Sequence, residues 1–159
     1  MRSFRQFEPA VSFEHIGASE ALVVVIYQNQ FAMYDGSLLH EMDQAIYFGD
    51  SAHRLKLGLI DGRRCELLYL SASMDMPGLS WHGLRTLIGQ VDDQLFQLLG
   101  FSQQLNAWYR SHQFCGSCGQ AMQLRSDERA MECLSCERRE YPKIAPCIIV
   151  LITQGDQND

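Results

Sequence analysis

Four cysteines in the C-terminal part of the chain form two closely spaced pairs. Two residues separate Cys115 from Cys118 and Cys133 from Cys136, and fourteen residues lie between the pairs. A two-residue gap lets both sulfurs of a tight turn point at one ion, and a second such turn completes a tetrahedron of thiolates. The intervening residues are enough for a short hairpin. The spacing therefore predicts a zinc ribbon with these four cysteines as ligands.

The residue that follows each pair bears on this prediction. Gly119 directly follows the first pair, where a glycine frees the backbone to take a positive φ and to aim its amides at the thiolates. Glu137 takes the same place after the second pair. The second turn is therefore expected to match the zinc-ribbon pattern less well than the first.

The predicted metal is structural rather than catalytic. Four sulfur ligands fill the coordination of Zn²⁺, whereas a catalytic zinc keeps one position for water or substrate. Two other interpretations stay open at this point. A rubredoxin-like iron site uses the same four sulfurs, and two disulfides are conceivable, although a reducing compartment disfavours them. In each of these interpretations, any catalytic activity must come from residues other than the four cysteines.

The remaining reactive side chains form no recognisable catalytic set. Cys65 lies in a strand-like run and Cys147 in an apolar run, so both are expected to be small buried hydrophobic residues. The five histidines are scattered along the chain. No Ser-His-Asp or Cys-His arrangement is recognisable from local spacing, and no catalytic residue is assigned.

The elements that must position the cysteines begin with a sheet. Residues 21–27 are a continuous β-branched run typical of a buried strand. Residues 53–60 and 63–70 are strand-like and flank an Asp-Gly pair at positions 61 and 62, which is a two-residue hairpin signal. These features predict a small N-terminal antiparallel sheet domain.

Within residues 53–60, three leucines alternate with basic residues. Leu55, Leu57 and Leu59 are expected on one face of the strand, with Arg54 and Lys56 on the other. The leucine face should lie against the core.

The spacing of apolar residues then changes to that of a helix. Residues 74–83 are expected to be a loop that turns at Pro77 and Gly78, and a four-turn connecting helix should follow. Its apolar positions are Leu84, Leu87, Ile88, Val91, Leu95, Leu98 and Leu99. Gly100 is expected to interrupt the helix, and Leu105 and Trp108 to continue its apolar stripe. The predicted fold class is α+β.

The segment from Trp108 to Ile152 resembles a known family. It carries an aromatic-rich helix end, Phe-Cys-Gly-x-Cys-Gly, a second Cys-x-x-Cys, and Tyr-Pro-Lys-Ile-x-Pro before an apolar run. In this order the motifs resemble the zinc-binding segment of bacterial NADH pyrophosphatases, which are Nudix hydrolases. Residues 83–112 are similar to the connecting helix of that family, and the similarity is weak before Ser73.

The resemblance implies a catalytic domain beyond the ribbon. In that family Ile144–Ile152 is the first strand of a Nudix domain, whose spaced glutamates hold Mg²⁺ or Mn²⁺ for attack of water on a pyrophosphate. The sequence ends at Asp159 and contains no Arg-Glu-x-x-Glu-Glu pattern. We therefore expect the chain by itself to be inactive. Its expected segments are an N-terminal α+β domain with the connecting helix (1–109), the zinc ribbon (110–143) and the first strand of an absent Nudix domain (144–159).

The resemblance also implies three substrate contacts. Arg85 corresponds to the arginine at the start of the connecting helix, Tyr141 to the tyrosine after the ribbon, and Glu128 to an acidic residue five positions before the third cysteine. Arginine can fork onto a phosphate, and tyrosine can stack on a base or nicotinamide ring. The plainer alternatives are surface charges for Arg85 and Glu128 and packing for Tyr141. Arg129 departs from the family, which commonly has an aromatic residue there.

The activity implied for the parent enzyme is hydrolysis of the NAD(H) pyrophosphate, and NAD-cap removal from RNA is a further implied activity. The family resemblance implies a homodimer as well. A different class of function is a stand-alone zinc-ribbon module that binds another macromolecule.

The charge and hydropathy of the sequence argue against nucleic-acid-binding, membrane and secreted proteins. The chain has a net charge of −6, and residues 110–143 carry six basic and five acidic side chains, so no basic face for a nucleic-acid backbone is expected. The apolar runs at 21–27 and 144–152 are too short to span a bilayer. The N-terminus has no continuous apolar core of a secretory signal. The sequence favours a cytoplasmic protein with reduced thiols.

Overall fold

The computed structural model describes residues 6–11, 21–49, 51–143 and 148–151. These residues form a mixed α+β fold, as the sequence predicts. The strands are β1 Phe7–Pro9, β2 Leu22–Tyr27, β3 Gln30–Tyr34, β4 His40–Glu41, β5 Ser51–Ile60, β6 Arg63–Leu70, β7 Leu79–Gly83, β8 Met122–Leu124, β9 Met131–Cys133 and β10 Arg139–Glu140. The helices are α1 Asp93–Ser111 and two 3₁₀ helices, Met42–Phe48 and Leu84–Leu87.

The N-terminal part of the chain forms a seven-stranded sheet around β2. Six strands lie in the order β1-β5-β6-β2-β3-β7, and β4 also pairs with β2. Each pairing is antiparallel except that of β2 with β6, which is parallel, so the expected small antiparallel sheet is larger and mixed. The residues of β2 alternate between the two faces, and both faces are covered, which confirms the predicted buried strand.

The hairpin at Asp61 and Gly62 is confirmed. Ile60 lies opposite Arg63, and the two turn residues have φ angles of 48° and 79°. Positive φ at both central residues is the geometry of the tight hairpin turn for which the Asp-Gly pair is favoured.

The predicted alternation along β5 is wrong after Leu57. A register shift between Lys56 and Gly58 forms a β-bulge against β6. Leu55, Leu57 and Ile60 are buried in the core beneath α1, whereas Leu59 is only partly buried. One extra residue in a strand moves the following side chains to the other face.

The connecting helix begins later than the apolar spacing predicts. Leu84 and its neighbours form a 3₁₀ turn, and Gly89 then takes a left-handed φ of 73°. The α-helix follows at Asp93–Ser111, where the side chain of Asp92 caps it by accepting a main-chain amide hydrogen bond at 2.9 Å. Helical geometry continues through Gly100, so the expected interruption there is also wrong.

The expected loop at 74–83 is shorter than predicted. Its turn at Pro77 and Gly78 is confirmed, since Gly78 has a φ of 81°. Leu79–Gly83, however, pairs with β3 along its whole length as an edge strand of the sheet.

One apolar core joins the sheet domain to the ribbon. The apolar side of α1, including Leu105 and Trp108 as predicted, packs on one face of the sheet. The same cluster continues through Met122 and Met131 of the ribbon. A second cluster covers the opposite face beneath the 3₁₀ helix Met42–Phe48. The ribbon is therefore packed against the sheet domain through shared apolar contacts.

The apolar segment near the C-terminus forms no strand over the residues described. Residues 148–151 have no regular secondary structure, and their side chains are 67% to 100% exposed. Ile152 and residues 144–147, with Cys147 among them, lie outside the described residues. A strand needs a neighbour to accept and donate its hydrogen bonds, and the described residues offer none to 148–151. No helix in the described part of the chain is long and apolar enough to cross a membrane.

Candidate metal centre and adjoining cavities

The four paired cysteines converge at one point of the ribbon. Their sulfur atoms all lie within 4.8 Å of one another. The Sγ of Cys118 is 3.4 Å from that of Cys133 and 3.6 Å from that of Cys136, which in turn is 3.6 Å from that of Cys115. Ligands at about 2.3 Å from a tetrahedral Zn²⁺ are about 3.8 Å apart. The four sulfurs thus fit one tetrahedral ion, and they are too far apart for disulfides.

The two cysteine turns have the same backbone geometry. The amide of Gly119 donates to the carbonyl of Cys115 at 2.9 Å, and the amide of Glu137 donates to the carbonyl of Cys133 at 2.8 Å. Both residues take a left-handed φ, 74° for Gly119 and 59° for Glu137. The expectation of a poorer second turn is therefore wrong, because the glutamate adopts the glycine conformation in spite of its Cβ.

The turns also favour the thiolate form of one sulfur in each pair. The main-chain amides of Cys118 and Ser117 lower the pKa of Cys115 to about 6. The main-chain amide of Cys136 likewise lowers the pKa of Cys133. Hydrogen bonds donated to the charged form stabilise it, so the backbone prepares these sulfurs to bind a cation.

The buried Cys65 belongs to the sheet rather than to the metal centre. It lies in β6 with no exposed surface, and burial raises the pKa of its thiol far above the usual range. The prediction of a small buried hydrophobic residue is confirmed.

A network of ion pairs surrounds the tip of the ribbon hairpin. Arg125 contacts Asp127 at 2.7 Å, Glu132 at 2.6 Å and Glu128 at 2.9 Å. Arg139 contacts Glu132 at 2.9 Å and Glu128 at 3.1 Å. The hydrogen bonds from Arg139 and Arg125 lower the pKa of Glu132. Two arginines and three carboxylates therefore hold the hairpin in one shape.

Two of the three predicted substrate contacts lie together in this network. The hydroxyl of Tyr141 donates to the carboxylate of Glu128 at 3.1 Å, and the tyrosine is 48% exposed. Glu128 is partly buried by its arginine partners.

A cavity of about 590 Å³ lies beside Tyr141. Its wall combines aromatic, cationic and amide side chains: Phe101, Trp108, Tyr141, Arg129, Lys143 and Gln104. Trp108 is 7% exposed, and its indole N–H has no hydrogen-bond partner among the described residues. A smaller cavity of about 230 Å³ is lined by Glu128, and it shares Arg129 and Trp108 with the larger one. The larger cavity thus combines aromatic faces with positive charge.

The third predicted contact, Arg85, is not brought to this place. It lies in the 3₁₀ helix Leu84–Leu87, is exposed, and lines neither of the two cavities. No described hydrogen bond or ion pair joins it to Glu128 or Tyr141. Its position is at the start of a 3₁₀ turn rather than of the α-helix that the sequence predicts.

Sequence reasoning missed the place of Arg129. Its guanidinium donates to main-chain carbonyls of the sheet domain and lies over the ring of Phe101. The one signal in the sequence was its departure from the aromatic residue common in the similar family. That departure did not reveal its partners, because they are main-chain oxygens next to β1 and at the bulge in β5.

Two family models match successive parts of the chain. Residues 16–108 match a model described as NADH pyrophosphatase-like rudimentary NUDIX domain. Residues 110–141, which contain the four converging cysteines, match a model described as NADH pyrophosphatase zinc ribbon domain.

Individual relatives agree with these models. Over 101 residues the chain is 46% identical to the NAD-capped RNA hydrolase NudC of Stutzerimonas stutzeri (strain A1501). Over the same length it is 44% identical to the NAD-capped RNA hydrolase NudC of Pseudomonas fluorescens (strain Pf0-1). Each comparison covers 64% of this chain and 37% of the relative. The chain thus matches little more than a third of the length of these relatives.

Proposed function

The chain belongs to the family of NADH pyrophosphatase-like rudimentary NUDIX domains, and on this premise we propose that it supplies the N-terminal and zinc-ribbon part of an NAD(H) diphosphatase. The observation that carries the proposal is the convergence of four cysteine sulfurs within the segment that matches the NADH pyrophosphatase zinc ribbon. The names of the relatives extend the proposed substrates to RNA with a 5′ NAD cap.

We propose that Cys115, Cys118, Cys133 and Cys136 hold one Zn²⁺. The sulfur separations fit a tetrahedral ion, and the two equivalent turns supply amides to the thiolates. Four thiolates leave no position for water, so the metal stabilises the fold and takes no part in hydrolysis. X-ray absorption at the zinc edge should show four sulfurs at about 2.3 Å. An iron edge, or a nitrogen or oxygen ligand in the shell, would contradict the assignment.

Glu128 and Tyr141 are the proposed dinucleotide contacts. The half-exposed ring of Tyr141 offers a stacking surface for a base or nicotinamide ring, and its bond to Glu128 fixes the direction of the phenol. The cavity beside the ring also carries Lys143, whose positive charge suits a pyrophosphate. Arg85 stays a proposed phosphate contact. Because Arg85 lines neither cavity, this role requires that the ligand, a second subunit or the catalytic domain connects Arg85 with Glu128 and Tyr141.

The proposed division of labour places hydrolysis outside these 159 residues. They contain no Arg-Glu-x-x-Glu-Glu pattern for holding Mg²⁺ or Mn²⁺, so we propose that the chain alone is inactive. The proposed segments are the sheet domain with its helix (1–109), the ribbon (110–143) and the start of the catalytic domain (144–159). The exposed apolar side chains at 148–151 support a homodimer or a further domain as their partner. Free thiol ligands favour the cytoplasm.

The experiment that tests the function is a fusion. Residues 1–143 are joined to the part of the Stutzerimonas stutzeri relative that follows its zinc ribbon, and the full relative serves as the positive control. We expect hydrolysis of NADH in the presence of Mg²⁺. Stacking of a base on an aromatic ring contributes about 1–3 kcal/mol, so Tyr141→Ala should lower kcat/KM roughly 5- to 150-fold.

A second tyrosine supplies the matched control. Tyr47 is 55% exposed in the 3₁₀ helix Met42–Phe48, away from the ribbon, and Tyr47→Ala should leave kcat/KM unchanged. A folded, zinc-loaded fusion without activity, beside an active relative, would contradict the proposed function. Equal losses in the two tyrosine variants would contradict the proposed substrate contact.

A further inference from the structure

Arg129 joins the tip of the ribbon hairpin to the sheet domain. Its Nη2 donates to the main-chain carbonyls of Ala10 at 2.9 Å, Leu57 at 3.0 Å and Lys56 at 3.2 Å. These partners lie more than 70 residues away in sequence. All three bonds leave one nitrogen, so its two N–H groups are shared among the three carbonyls, and the planar guanidinium holds that nitrogen in a fixed direction. The contact is therefore specific in direction as well as in charge.

Two of the three acceptors for this contact lie at the bulge in β5. Lys56 pairs with Glu66 and Gly58 with Cys65, which leaves Leu57 without a partner in β6. The carbonyl of Leu57 instead accepts the amide of Ala10 at 3.3 Å and the guanidinium of Arg129. A carbonyl oxygen has two lone pairs and can accept from both donors. The sheet domain thus presents a group of carbonyl oxygens to which one arginine donates.

The guanidinium also lies against the helix α1. Its central carbon lies 5.1 Å from the ring centre of Phe101 in α1. Burial lowers the pKa of Arg129, yet an arginine stays protonated. Among the described residues no carboxylate makes an ion pair with it. The charge is held by carbonyl dipoles and an aromatic face, which are fixed parts of the sheet domain.

The same arginine borders the proposed dinucleotide contacts. It follows Glu128 in the chain and lines the cavities on both sides of the hairpin. The amide of Ala130 donates to the carbonyl of Glu128, and the amide of Arg125 donates to the carbonyl of Ala130, both at 3.0 Å. These bonds make the hairpin tip one rigid unit. Any rotation of Arg129 against the sheet domain would therefore carry Glu128 with it.

We propose that Arg129 is a positioning residue that sets the orientation of the ribbon on the sheet domain, and with it the direction of the Glu128–Tyr141 pair. The apolar core shared by the two parts supplies attraction, but the hydrophobic effect is not directional. The three hydrogen bonds fix the angle. The claim that this angle matters for binding a dinucleotide rests on the function proposed above. The claim that Arg129 sets the angle does not depend on that function.

Amide exchange and residual dipolar couplings of the zinc-loaded 159-residue chain test the proposal without a ligand. In the native chain, amides of the sheet and of the ribbon should fit one alignment tensor. Arg129→Met keeps the length of the side chain and removes its donors. Losing charge-assisted hydrogen bonds changes an equilibrium constant by roughly 10- to 100-fold. The Ala10 amide should exchange faster by that factor, while the Ile26 amide in the centre of β2 is unchanged.

Two further variants separate positioning from general stability. Arg138→Met removes another ribbon arginine, whose partners Glu140 and Ser117 lie within the ribbon, and it should behave as the native chain. Arg129→Lys keeps the charge and several donors on one nitrogen, but it is shorter and loses the planar group over Phe101, so it should give an intermediate exchange rate. Zinc content and Ile26 protection report whether each variant is folded.

Each outcome decides the proposal independently of any enzymatic result. A ribbon that needs its own alignment tensor in Arg129→Met, with partial recovery in Arg129→Lys, supports it. One common tensor and native exchange at Ala10 in Arg129→Met would overturn it. If Arg129→Met fails to fold, Arg129→Lys decides, since native exchange at Ala10 in that variant would also overturn it.

Discussion

Replacement of Cys133 by serine should release the metal and unfold the ribbon. The sulfur of Cys133 is 3.4 Å from that of Cys118, and Cys133 has no exposed surface. A structural zinc site contributes about 10–16 kcal/mol of binding free energy. With four equal ligands, one thiolate accounts for about 3–4 kcal/mol, which corresponds to a roughly 100- to 1,000-fold loss of zinc affinity.

The ribbon depends on this metal because its own apolar core is small. Within β8 and β9 the buried apolar side chains outside the metal centre are Met122 and Met131. Segments below about 40 residues usually need a metal, a disulfide or a partner to fold. Loss of zinc should therefore be accompanied by loss of the dispersed amide signals of β8 and β9, while the signals of β2 remain.

The assay is competition for zinc with a chromophoric chelator, followed by amide spectra of the same samples. The matched control is Cys65→Ala, which also removes a buried thiol, but from β6 of the sheet domain. The control should bind zinc as tightly as the native chain. Native zinc affinity in Cys133→Ser, or equal losses in the two variants, would refute the assignment of ligands and the reasoning about the ribbon.

Three further predictions concern the sheet domain and the C-terminal segment. Burial lowers the pKa of His53 below its usual value, so the unfolded chain takes up a proton at a higher pH than the folded chain does. The free energy of unfolding should therefore fall as the pH drops below about 6.5. His53→Gln should weaken this pH dependence in urea denaturation measured at a series of pH values. Gly62→Ala should destabilise the chain by about 1–2 kcal/mol because Gly62 has a φ of 79°. Gly83→Ala, at a φ of −73° with equally open surroundings, should stay within about 0.5 kcal/mol of the native chain in the same denaturation measurement. Removal of residues 144–159 should reduce self-association in light scattering and leave zinc content unchanged, whereas a clean monomer at high concentration with the segment in place would contradict this prediction.

Local chemistry explains why parts of the fold could be predicted from the sequence. The Asp61-Gly62 turn needs only two residues with positive φ, and the strand at 21–27 needs only its own apolar side chains. The ligand spacing is equally local, because each cysteine pair is one turn. Such features depend on residues that are adjacent in the chain.

The errors arose where a distant contact or a single residue overrode a regular pattern. The apolar spacing from Leu84 to Leu99 fits one helix, but a left-handed Gly89 and the cap at Asp92 place the helix start at Asp93. The bulge after Lys56 reversed the face of the following side chains, and its local signal is a single glycine, Gly58, inside the strand-like run. The pairing of Leu79–Gly83 depended on β3, which lies far from it in sequence.

In the candidate site, too, the features set by local sequence were predictable and those set by distant contacts were not. The four ligands were predictable from spacing, and Glu128 and Tyr141 were named through the family resemblance before their mutual hydrogen bond was visible. The position of Arg129 was not predictable, because its acceptors are main-chain oxygens next to β1 and at the bulge in β5. Side-chain identity alone carries no information about such partners.

The most direct test of the proposed division of labour is a ³¹P NMR time course of NADH with the pure, zinc-loaded 159-residue chain and Mg²⁺. We expect the pyrophosphate resonances to persist at the rate of a protein-free blank, because no cluster of carboxylates in this sequence has the spacing to hold catalytic Mg²⁺. Monophosphate resonances that grow in proportion to the amount of chain, and that disappear when one of its own carboxylates is replaced, would contradict the proposal that these residues support a catalytic domain without containing it.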